Sequence, residues 1–238
     1  ELEILQLLLR QNAISIEAFQ KLYQEKYRKN IMEDQVNCAL EVLQGKFVSN
    51  EKEYQKYETI DMISCDQTSR ITRVSKYGEL LRNVEFRSQV EDIIKVGLAR
   101  YHDKFMNTNE VVSPFVLYEK YSRRDVSLLM NCGKDLSSVM FGMKRIQEDV
   151  FIFVTYHKEK AEDERNYVDG KPDYADVFED NMIFKWDSKI GMGMESTYMK
   201  DVITAPRKHL FVKKSDAESN FYYMGTFDII DVKEARKE

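Results

Sequence analysis

Apolar residues recur at intervals of three and four along the first part of the chain, which predicts helices. The first predicted helix carries one apolar face, and the second opens at Ser15, a favourable N-cap. Gly45 ends the third in the usual way. The apolar faces are Leu2, Leu5, Leu8 and Leu9; Ala18, Phe19, Leu22 and Tyr23 within 15–27; and Val36, Ala39, Leu40 and Leu43 within 33–44.

The period then changes to the alternation of strands. Residues 59–63 and 70–74 are two short alternating runs, and 64–69 form the loop between them. Three helices followed by a two-stranded hairpin is the element order of a winged helix-turn-helix. A long amphipathic helix is predicted over 84–105, with one stripe formed by Phe86, Val90, Ile93, Ile94, Gly97, Leu98, Tyr101 and Phe105.

A turn at 107–109 and Pro114 interrupt this pattern, so we place a domain boundary at residue 110. Beyond it, Ser122 and Asp125 form a capping box for a helix from Arg123 to about Asn131. Many short strands follow, which favours a barrel-like sheet. The predicted strands are 139–144, 150–156, 182–186, 209–214 and 221–230. The predicted fold class is therefore α+β, with a helical, winged-helix-like arm over 1–110 and a β-rich barrel domain over 111–238.

Composition and charge narrow the possible functions. The chain has 238 residues with 43% hydrophobic and 32% charged side chains, typical of a globular protein. No apolar run approaches the roughly 20 residues that span a bilayer, so we expect no membrane partner. Three scattered cysteines match no zinc spacing and fit reduced thiols in the cytoplasm. The net charge of −5 means that any DNA contact depends on a local basic patch.

Several motifs together carry a family resemblance. They are Leu117-Tyr118-x-x-Tyr121-Ser122-Arg123-Arg124, Tyr174-x-Asp176, Phe184-x-Trp186-x-Ser188, Leu210-Phe211-Val212-Lys213 and Phe221-Tyr222-Tyr223-x-Gly225. Their order resembles the carboxy-terminal domain of large DEAD/DEAH-type helicase proteins, a domain of unknown function (DUF3427). The chain begins at Glu1 rather than Met, and we expect it to be a piece of such a protein.

The resemblance implies a function. Some similar proteins are bacterial, modification-dependent (type IV) restriction enzymes that act in anti-phage defence and carry a phospholipase-D-type nuclease before the helicase. Their carboxy-terminal region is thought to recognise modified cytosine through a barrel like the SRA and PUA domains. The expected partners are double-stranded DNA carrying modified cytosine, such as 5-methylcytosine, and the helicase and nuclease domains of the same polypeptide. ATP and Mg²⁺ would belong to the parent protein, and we expect no cofactor in this chain.

Residue chemistry supplies a candidate site for this function. A flipped base is stacked between aromatic rings and hydrogen-bonded at its edge, while cations hold the distorted backbone. The candidate base-binding residues are Tyr118, Tyr121, Tyr156, Tyr174, Asp176, Trp186, Asp187 and Ser188, where either aspartate accepts from the cytosine amine. The candidate phosphate contacts are Arg123, Arg124, Lys185, Lys189, Lys213 and Lys214. Two structural alternatives stay open. Trp186 and the Phe221-Tyr222-Tyr223 run could instead form the core of the barrel, and the lysines could lie on a solvated surface without binding phosphate.

Catalysis is not indicated. The chain has three histidines, His102, His157 and His209, and no glycine-rich phosphate loop, so we expect it not to be an enzyme. We expect no metal, although an acidic loop over 158–180 leaves a divalent-metal nuclease as one alternative. Asp173, Asp176, Glu179 and Asp180 are its candidate ligands. The other alternative is a protein-interaction or autoinhibitory module that docks on the helicase core.

Overall fold

The structure is a computed structural model that describes residues 1–48, 50, 52, 55, 61–106, 111–112, 114–155, 177–178, 182–188 and 192–233. The chain divides into two compact units. Unit 1 contains Glu1–Asn109 and Asn131–Asp135, and unit 2 contains Glu110–Met130 and Leu136–Glu238. None of the described helices is long and apolar enough to cross a membrane.

Unit 1 is helical with a small antiparallel sheet. Its helices are α1 (Leu2–Arg10), α2 (Ile16–Tyr27), α3 (Glu33–Leu43), α4 (Ser75–Leu80) and α5 (Val84–Phe105). Its strands β1 (Ala13–Ser15), β2 (Ile63–Cys65) and β3 (Arg70–Arg73) pair in the order β1-β3-β2.

The predicted helices of unit 1 are confirmed, and so are two of their ends. The Ser15 hydroxyl accepts a hydrogen bond from the Ala18 N–H at 3.2 Å. Gly45 has φ 71°, a left-handed conformation that favours glycine. The predicted hairpin is shifted, because its first strand begins at Ile63, while residues 59–60 of the prediction lie outside the described part. Strand β1 is an addition, since three residues are too short to show a period.

The core of unit 1 corrects one detail of the predicted stripe on α5. Ile94 is 2% exposed and packs in a cluster with Leu9, Tyr77 and Leu81. Phe86, Val90 and Leu98 pack against the same cluster and, together with Ile94, recur every four residues. Ile93 and Tyr101 were predicted to share this stripe but are 68% and 41% exposed. Successive helical residues point about 100° apart, so a narrow contact buries Ile94 and leaves its neighbour outside.

Unit 2 is built on a five-stranded mixed sheet that curls into half a barrel. The strand order is β6-β12-β11-β8-β7, and β8 and β11 run parallel. The unit contains β4 (Val111–Val112), β5 (Phe115–Val116), β6 (Lys120–Tyr121), α6 (Arg123–Leu129), a 3₁₀ turn (Ser137–Val139), β7 (Met143–Ile146), β8 (Asp149–Thr155), β9 (Val177–Phe178), β10 (Phe184–Lys185), α7 (Thr197–Thr204), β11 (Arg207–Lys213) and β12 (Phe221–Thr226). The α+β class is therefore confirmed.

Several predicted boundaries in unit 2 are corrected. The strand predicted over 139–144 begins only at Met143, because the residues before it form a 3₁₀ turn and a further turn at Gly142, where φ is 75°. The strand predicted over 221–230 ends at Thr226. Helix α7, capped by Ser196, was not predicted.

The two faces of the sheet carry different side chains because neighbouring residues on a strand point in opposite directions. One face is aliphatic, with Val150, Ile152, Val154, Leu210 and Val212, and α7 packs on it through Val202 and Ala205. The other face is aromatic and surrounds Phe115, which contacts Tyr121, Phe151, His209, Phe211 and Tyr223. All of β8 except Thr155 is buried, as expected of a strand covered on both sides.

Candidate functional site

The predicted base-binding residues do not form one described group. Tyr156, Tyr174, Asp176 and the phosphate candidate Lys189 lie outside the described residues. The others fall on different faces of the sheet.

Tyr121 is a core side chain, and Trp186 is partly buried against the core. Tyr121 is 2% exposed, its hydroxyl accepts a hydrogen bond from the Val116 N–H at 2.9 Å, and its ring packs edge-on against Phe115. Trp186 packs against the aliphatic face, stacked on Tyr198 with ring centroids 6.2 Å apart. The Tyr121 ring is therefore closed to a base, and Trp186 belongs to the opposite face.

The remaining candidates are more exposed. Tyr118 is 63% exposed and has φ 63°, and its N–H donates to the Tyr223 carbonyl at 2.8 Å. Lys185, Asp187 and Lys214 are exposed. The Ser188 hydroxyl donates to the Met192 carbonyl at 3.4 Å.

Lys213 is held inside unit 2. Its ammonium donates to the Glu218 carbonyl at 3.0 Å and lies 3.6 Å from the Asp216 carboxylate, and its side chain is only 13% exposed. These contacts hold the loop between β11 and β12, and they engage the Lys213 ammonium within the protein.

Arg123 and Arg124, by contrast, line one pocket of about 440 Å³. Its other lining residues are Ser122, Ser137, Ser138, Phe141 and Ser219. None of these seven residues is acidic, although acidic side chains outnumber basic ones in the chain as a whole. The pocket therefore presents guanidinium and hydroxyl groups, which suits an anion.

Local structure places these residues at the pocket. The Ser122 hydroxyl accepts from the Asp125 N–H at 3.1 Å, and the Asp125 carboxylate accepts from the Ser122 N–H at 2.7 Å. This is the predicted capping box, which begins α6 and fixes the two arginines on its first turn. The 3₁₀ turn supplies Ser137 and Ser138, and Ser219 precedes β12.

The Arg123 guanidinium lies among aromatic rings. Its central carbon is 4.7 Å from the ring centroid of Phe141, 5.0 Å from that of Phe221 and 5.5 Å from that of Phe153. Cation–π attraction stabilises a guanidinium in such a position. Burial lowers the pKa of Arg123 from its ordinary value, because an apolar environment disfavours the charge.

The Nε–H of Arg123 is buried and has no hydrogen-bond partner within the described part of the chain. A buried donor without a partner is costly, and such atoms in proteins are commonly satisfied by an ordered water or an ion. Arg123 also forms no ion pair with a carboxylate of the described residues. The site is thus a partly desolvated cation beside a hydroxyl-lined space.

A second polar group lies inside the aromatic face, and sequence analysis missed it. The Asp149 carboxylate accepts from His209 Nε2–H at 2.8 Å and from Arg207 Nε–H and Nη2–H, each at 2.7 Å. On its other side, His209 Nδ1 lies 2.9 Å from the Tyr223 hydroxyl. Asp149 is 3% exposed, His209 1% and Tyr223 0%, so the network is closed to any substrate.

The pKa shifts in this network follow from burial and hydrogen bonding. Burial alone would raise the pKa of Asp149, but hydrogen bonds from Arg207 and His209 outweigh it and hold that pKa below its ordinary value. Burial lowers the pKa of His209, and burial also raises that of Tyr223. The histidine is therefore neutral at pH 7 and the tyrosine keeps its proton.

No metal site is found in the described ranges, in which no group of three histidine, cysteine, aspartate or glutamate side chains comes together. The acidic candidates Asp173, Asp176, Glu179 and Asp180 lie outside those ranges.

Comparison with known families identifies both parts of the chain. Residues 115–238 match the family described as Domain of unknown function (DUF3427). Residues 1–104 match the family described as Domain of unknown function (DUF8090). No curated protein matches the chain. The first match confirms the domain family that the motifs between Leu117 and Gly225 indicate.

Proposed function

We propose a function from the premise that the chain belongs to the DUF3427 family, whose match covers more than half of its residues. The chain serves as the DNA target-recognition module of a helicase–nuclease restriction protein. It senses methylated or otherwise modified cytosine in double-stranded DNA, by extrusion of the base. It performs no chemistry itself, and ATP and Mg²⁺ serve other domains of the parent protein.

The observation that carries this proposal is the Arg123–Arg124 pocket. Most protein contacts to DNA go to phosphate oxygens, through arginine, serine and similar donors. The half-buried Arg123 guanidinium, which pairs with no carboxylate among the described residues, would gain from such a contact because a phosphate supplies acceptors. The lack of acidic residues in the pocket wall avoids the repulsion that the rest of this acidic chain would give.

The two units support this assignment in different ways. The curled five-stranded sheet of unit 2 fits the proposed SRA- and PUA-like barrel. In unit 1 the order α1-β1-α2-α3-β2-β3 is that of a winged helix, which supports the proposed winged-helix-like arm. Glu33 and Asp34 lie exposed at the start of α3 and would repel phosphates. We therefore assign unit 1 a linking role and unit 2 the contact with DNA.

Fluorescence anisotropy with two matched duplexes, containing cytosine or 5-methylcytosine, tests the proposal at two salt concentrations. We expect tighter binding to the modified duplex and weaker binding at high salt. Arg124→Gln should weaken binding to both duplexes. Arg145→Gln is the matched control, because it removes the same charge from another half-buried arginine of unit 2, paired with Asp201. Equal, salt-independent binding to both duplexes would contradict the proposal.

The same protein and duplexes can be used to test for catalysis. If the chain cleaves the modified duplex in Mg²⁺ or Mn²⁺, and Asp176→Asn abolishes the cleavage, the assignment as a non-enzyme is wrong.

One observation favours a second function, docking on the helicase core of the same polypeptide. Helix α5 exposes Ile93 and Val96, which are three positions apart and therefore neighbours on one side of the helix, with 68% and 52% of these residues exposed. Exposed apolar groups of this kind mark protein contacts when they are contiguous. Ile93→Ser should weaken binding to the separately produced helicase domains, whereas it should leave DNA binding unchanged.

A further inference from the structure

Phe141 has an exposure that the fold itself does not explain. It lies in the turn between the 3₁₀ helix and β7, and 66% of it is exposed. Aromatic side chains of this size bury a large area when they serve a core. Phe141 instead stands at the wall of the Arg123 pocket.

The backbone around Phe141 is held on both sides. Met140 before it is 0% exposed, and the Phe141 carbonyl accepts from the Met143 N–H at 3.0 Å. The next residue, Gly142, accepts from the Phe153 N–H at 2.7 Å and has φ 75°. The ring is thus displayed from a fixed turn, with the Arg123 guanidinium 4.7 Å from its centroid.

We propose that this pocket binds one nucleotide that has left the base stack, with its base on the Phe141 ring and its phosphate against Arg123, beside Ser138. The proposal rests on the proposed function in unit 2 and moves the base contact away from Trp186 and Tyr121. A fixed, exposed ring beside an anion pocket matches the two parts of a nucleotide, an aromatic base and a phosphate.

The geometry excludes a base that stays inside a duplex. Both faces of such a base are covered by its neighbours, so a protein ring reaches a base face only when the base is extruded, terminal or single-stranded. The pocket volume of about 440 Å³ lies within the range of small-molecule sites. The Ser122 hydroxyl already donates to the Asp125 carboxylate at 2.8 Å, and the Ser219 hydroxyl donates to Asn220 Oδ1 at 3.4 Å. The donors that the pocket wall offers to a phosphate are therefore the Arg123 guanidinium and, beside it, the Ser138 hydroxyl.

The base contact is tested on the full chain by measuring one variant and the wild type against two DNA probes. The probes are a fluorescein-labelled single-stranded thymidine octamer and the same octamer with abasic sites, and the variant is Phe141→Leu. This change keeps an apolar side chain and removes the ring. We expect Phe141→Leu to lower the affinity for the base-containing octamer on the order of tenfold. The abasic octamer should bind the wild type more weakly than the base-containing one does, and Phe141→Leu should not weaken its binding further.

Two controls secure the result. Phe141→Trp keeps a stacking surface and should bind the base-containing octamer at least as well as the wild type. Circular dichroism of each variant reports whether unit 2 is folded. For Phe141→Leu, in which Trp186 stays the only tryptophan, Trp186 emission reports it as well, since Trp186 packs against the core of that unit.

Further measurements show whether the nucleotide can come from a duplex, and they distinguish failure of the nucleotide site from failure of the proposed function. A duplex with one mismatched base is expected to bind more tightly than a matched duplex, and that gain should disappear in Phe141→Leu, because a mismatched base leaves the stack at less cost. DNA binding that Arg124→Gln weakens but Phe141→Leu leaves intact for every probe would overturn the nucleotide site and retain the proposed function. Failure to bind any of these DNAs would overturn both.

Discussion

At the scale of single residues, the network of Asp149, His209 and Tyr223 shows how donors and acceptors are shared on the aromatic face. Since the carboxylate of Asp149 only accepts, His209 donates through Nε2–H, and its Nδ1 then accepts from the Tyr223 hydroxyl. This order uses one neutral tautomer of the histidine. It ties together β8, β11 and β12, three adjacent strands of the sheet.

The lowered pKa of His209 makes unit 2 less stable in mild acid. In the unfolded chain His209 takes up a proton as the pH falls below about 6.5, whereas the folded state resists it, so the free energy of unfolding falls from that pH downward. The slope should approach but not exceed about 1.4 kcal/mol per pH unit. Urea unfolding at pH 7.5, 6.5 and 5.5, followed by Trp186 emission, measures it.

His209→Gln is expected to remove this slope, because glutamine does not titrate. His102→Gln is the matched control: His102 is exposed on α5 in unit 1, so the slope of unit 2 should persist. Asp149 acts in the same direction at lower pH, since its pKa is lowered and its contribution is lost only below about pH 4. A slope at pH 5.5–6.5 that survives His209→Gln would refute the assignment to His209.

The buried carboxylate of Asp149 should contribute far more to stability than the half-buried carboxylate of Asp201. Asp149→Asn leaves Arg207 and His209 without a charged acceptor, and we expect unit 2 to lose about 2–3 kcal/mol of stability. Asp201→Asn breaks the ion pair with Arg145, both of whose side chains are 33% exposed, and should cost less than about 1 kcal/mol. Urea unfolding at pH 7.5 compares the two, and equal losses would contradict a special role for Asp149.

The position of Arg123 and Arg124 at the start of α6 could be predicted from the sequence, because the capping box before them is a local pattern. The histidine network could not be predicted, because Asp149 and His209 lie 60 positions apart and meet only through the parallel pairing of β8 with β11. The one local sign is a polar residue within or beside a strongly apolar run, which occurs at both positions. Phe141 carried no sign at all, since its exposure depends on the turn that precedes β7.

At the scale of elements, an irregularity between β11 and β12 positions Tyr223. Leu210 pairs with Gly225, whereas the next residue, Phe211, pairs with Tyr223, so Met224 is an extra residue on β12. Gly225 has φ 102°, and a Cβ there would lie 3.1 Å from Leu117 Cδ2. The bulge keeps the Tyr223 ring on the aromatic face, where its hydroxyl meets His209.

Gly225→Ala should therefore strain both the backbone and the contact with Leu117. We expect a loss of about 1–3 kcal/mol in the stability of unit 2, measured by urea unfolding with Trp186 emission. Thr226→Ala, one position further along the same strand and exposed, should change it by no more than about 0.5 kcal/mol. If the two variants lose the same amount, the glycine is not required by the bulge.

Element prediction succeeded where the apolar pattern was long. Helix α5 begins and ends at the predicted residues because six turns of amphipathic sequence outweigh local exceptions. The short strands β4, β5 and β6 have two residues each, too few for an alternation to show, and tertiary pairing alone defines them. Helix α7 was missed although Ser196 caps it, because its eight residues stand between segments interpreted as strands.

At the scale of the whole molecule, charge limits how the proposed DNA contact could be made. With 36 basic and 41 acidic side chains the chain has no general attraction for DNA, so the proposed binding would depend on the few cations that meet phosphates directly. Among the described candidates Lys213 is already engaged with Glu218 and Asp216, and Arg123 and Arg124 share one pocket. A small footprint suits a module linked to a motor that makes its own contacts along the strand.

The salt dependence of binding measures that footprint. If the two arginines provide the main contacts, a plot of log affinity against log salt for a duplex should have a slope of about −2, and Arg124→Gln should reduce its magnitude by about 0.9. Arg145→Gln changes the net charge equally and should leave the slope unchanged, because only cations that displace counterions enter it. Anisotropy titrations over a range of about 50–200 mM salt give the slope. If both variants lower it equally, the general field of the protein attracts the DNA, and the pocket is not where the phosphate binds.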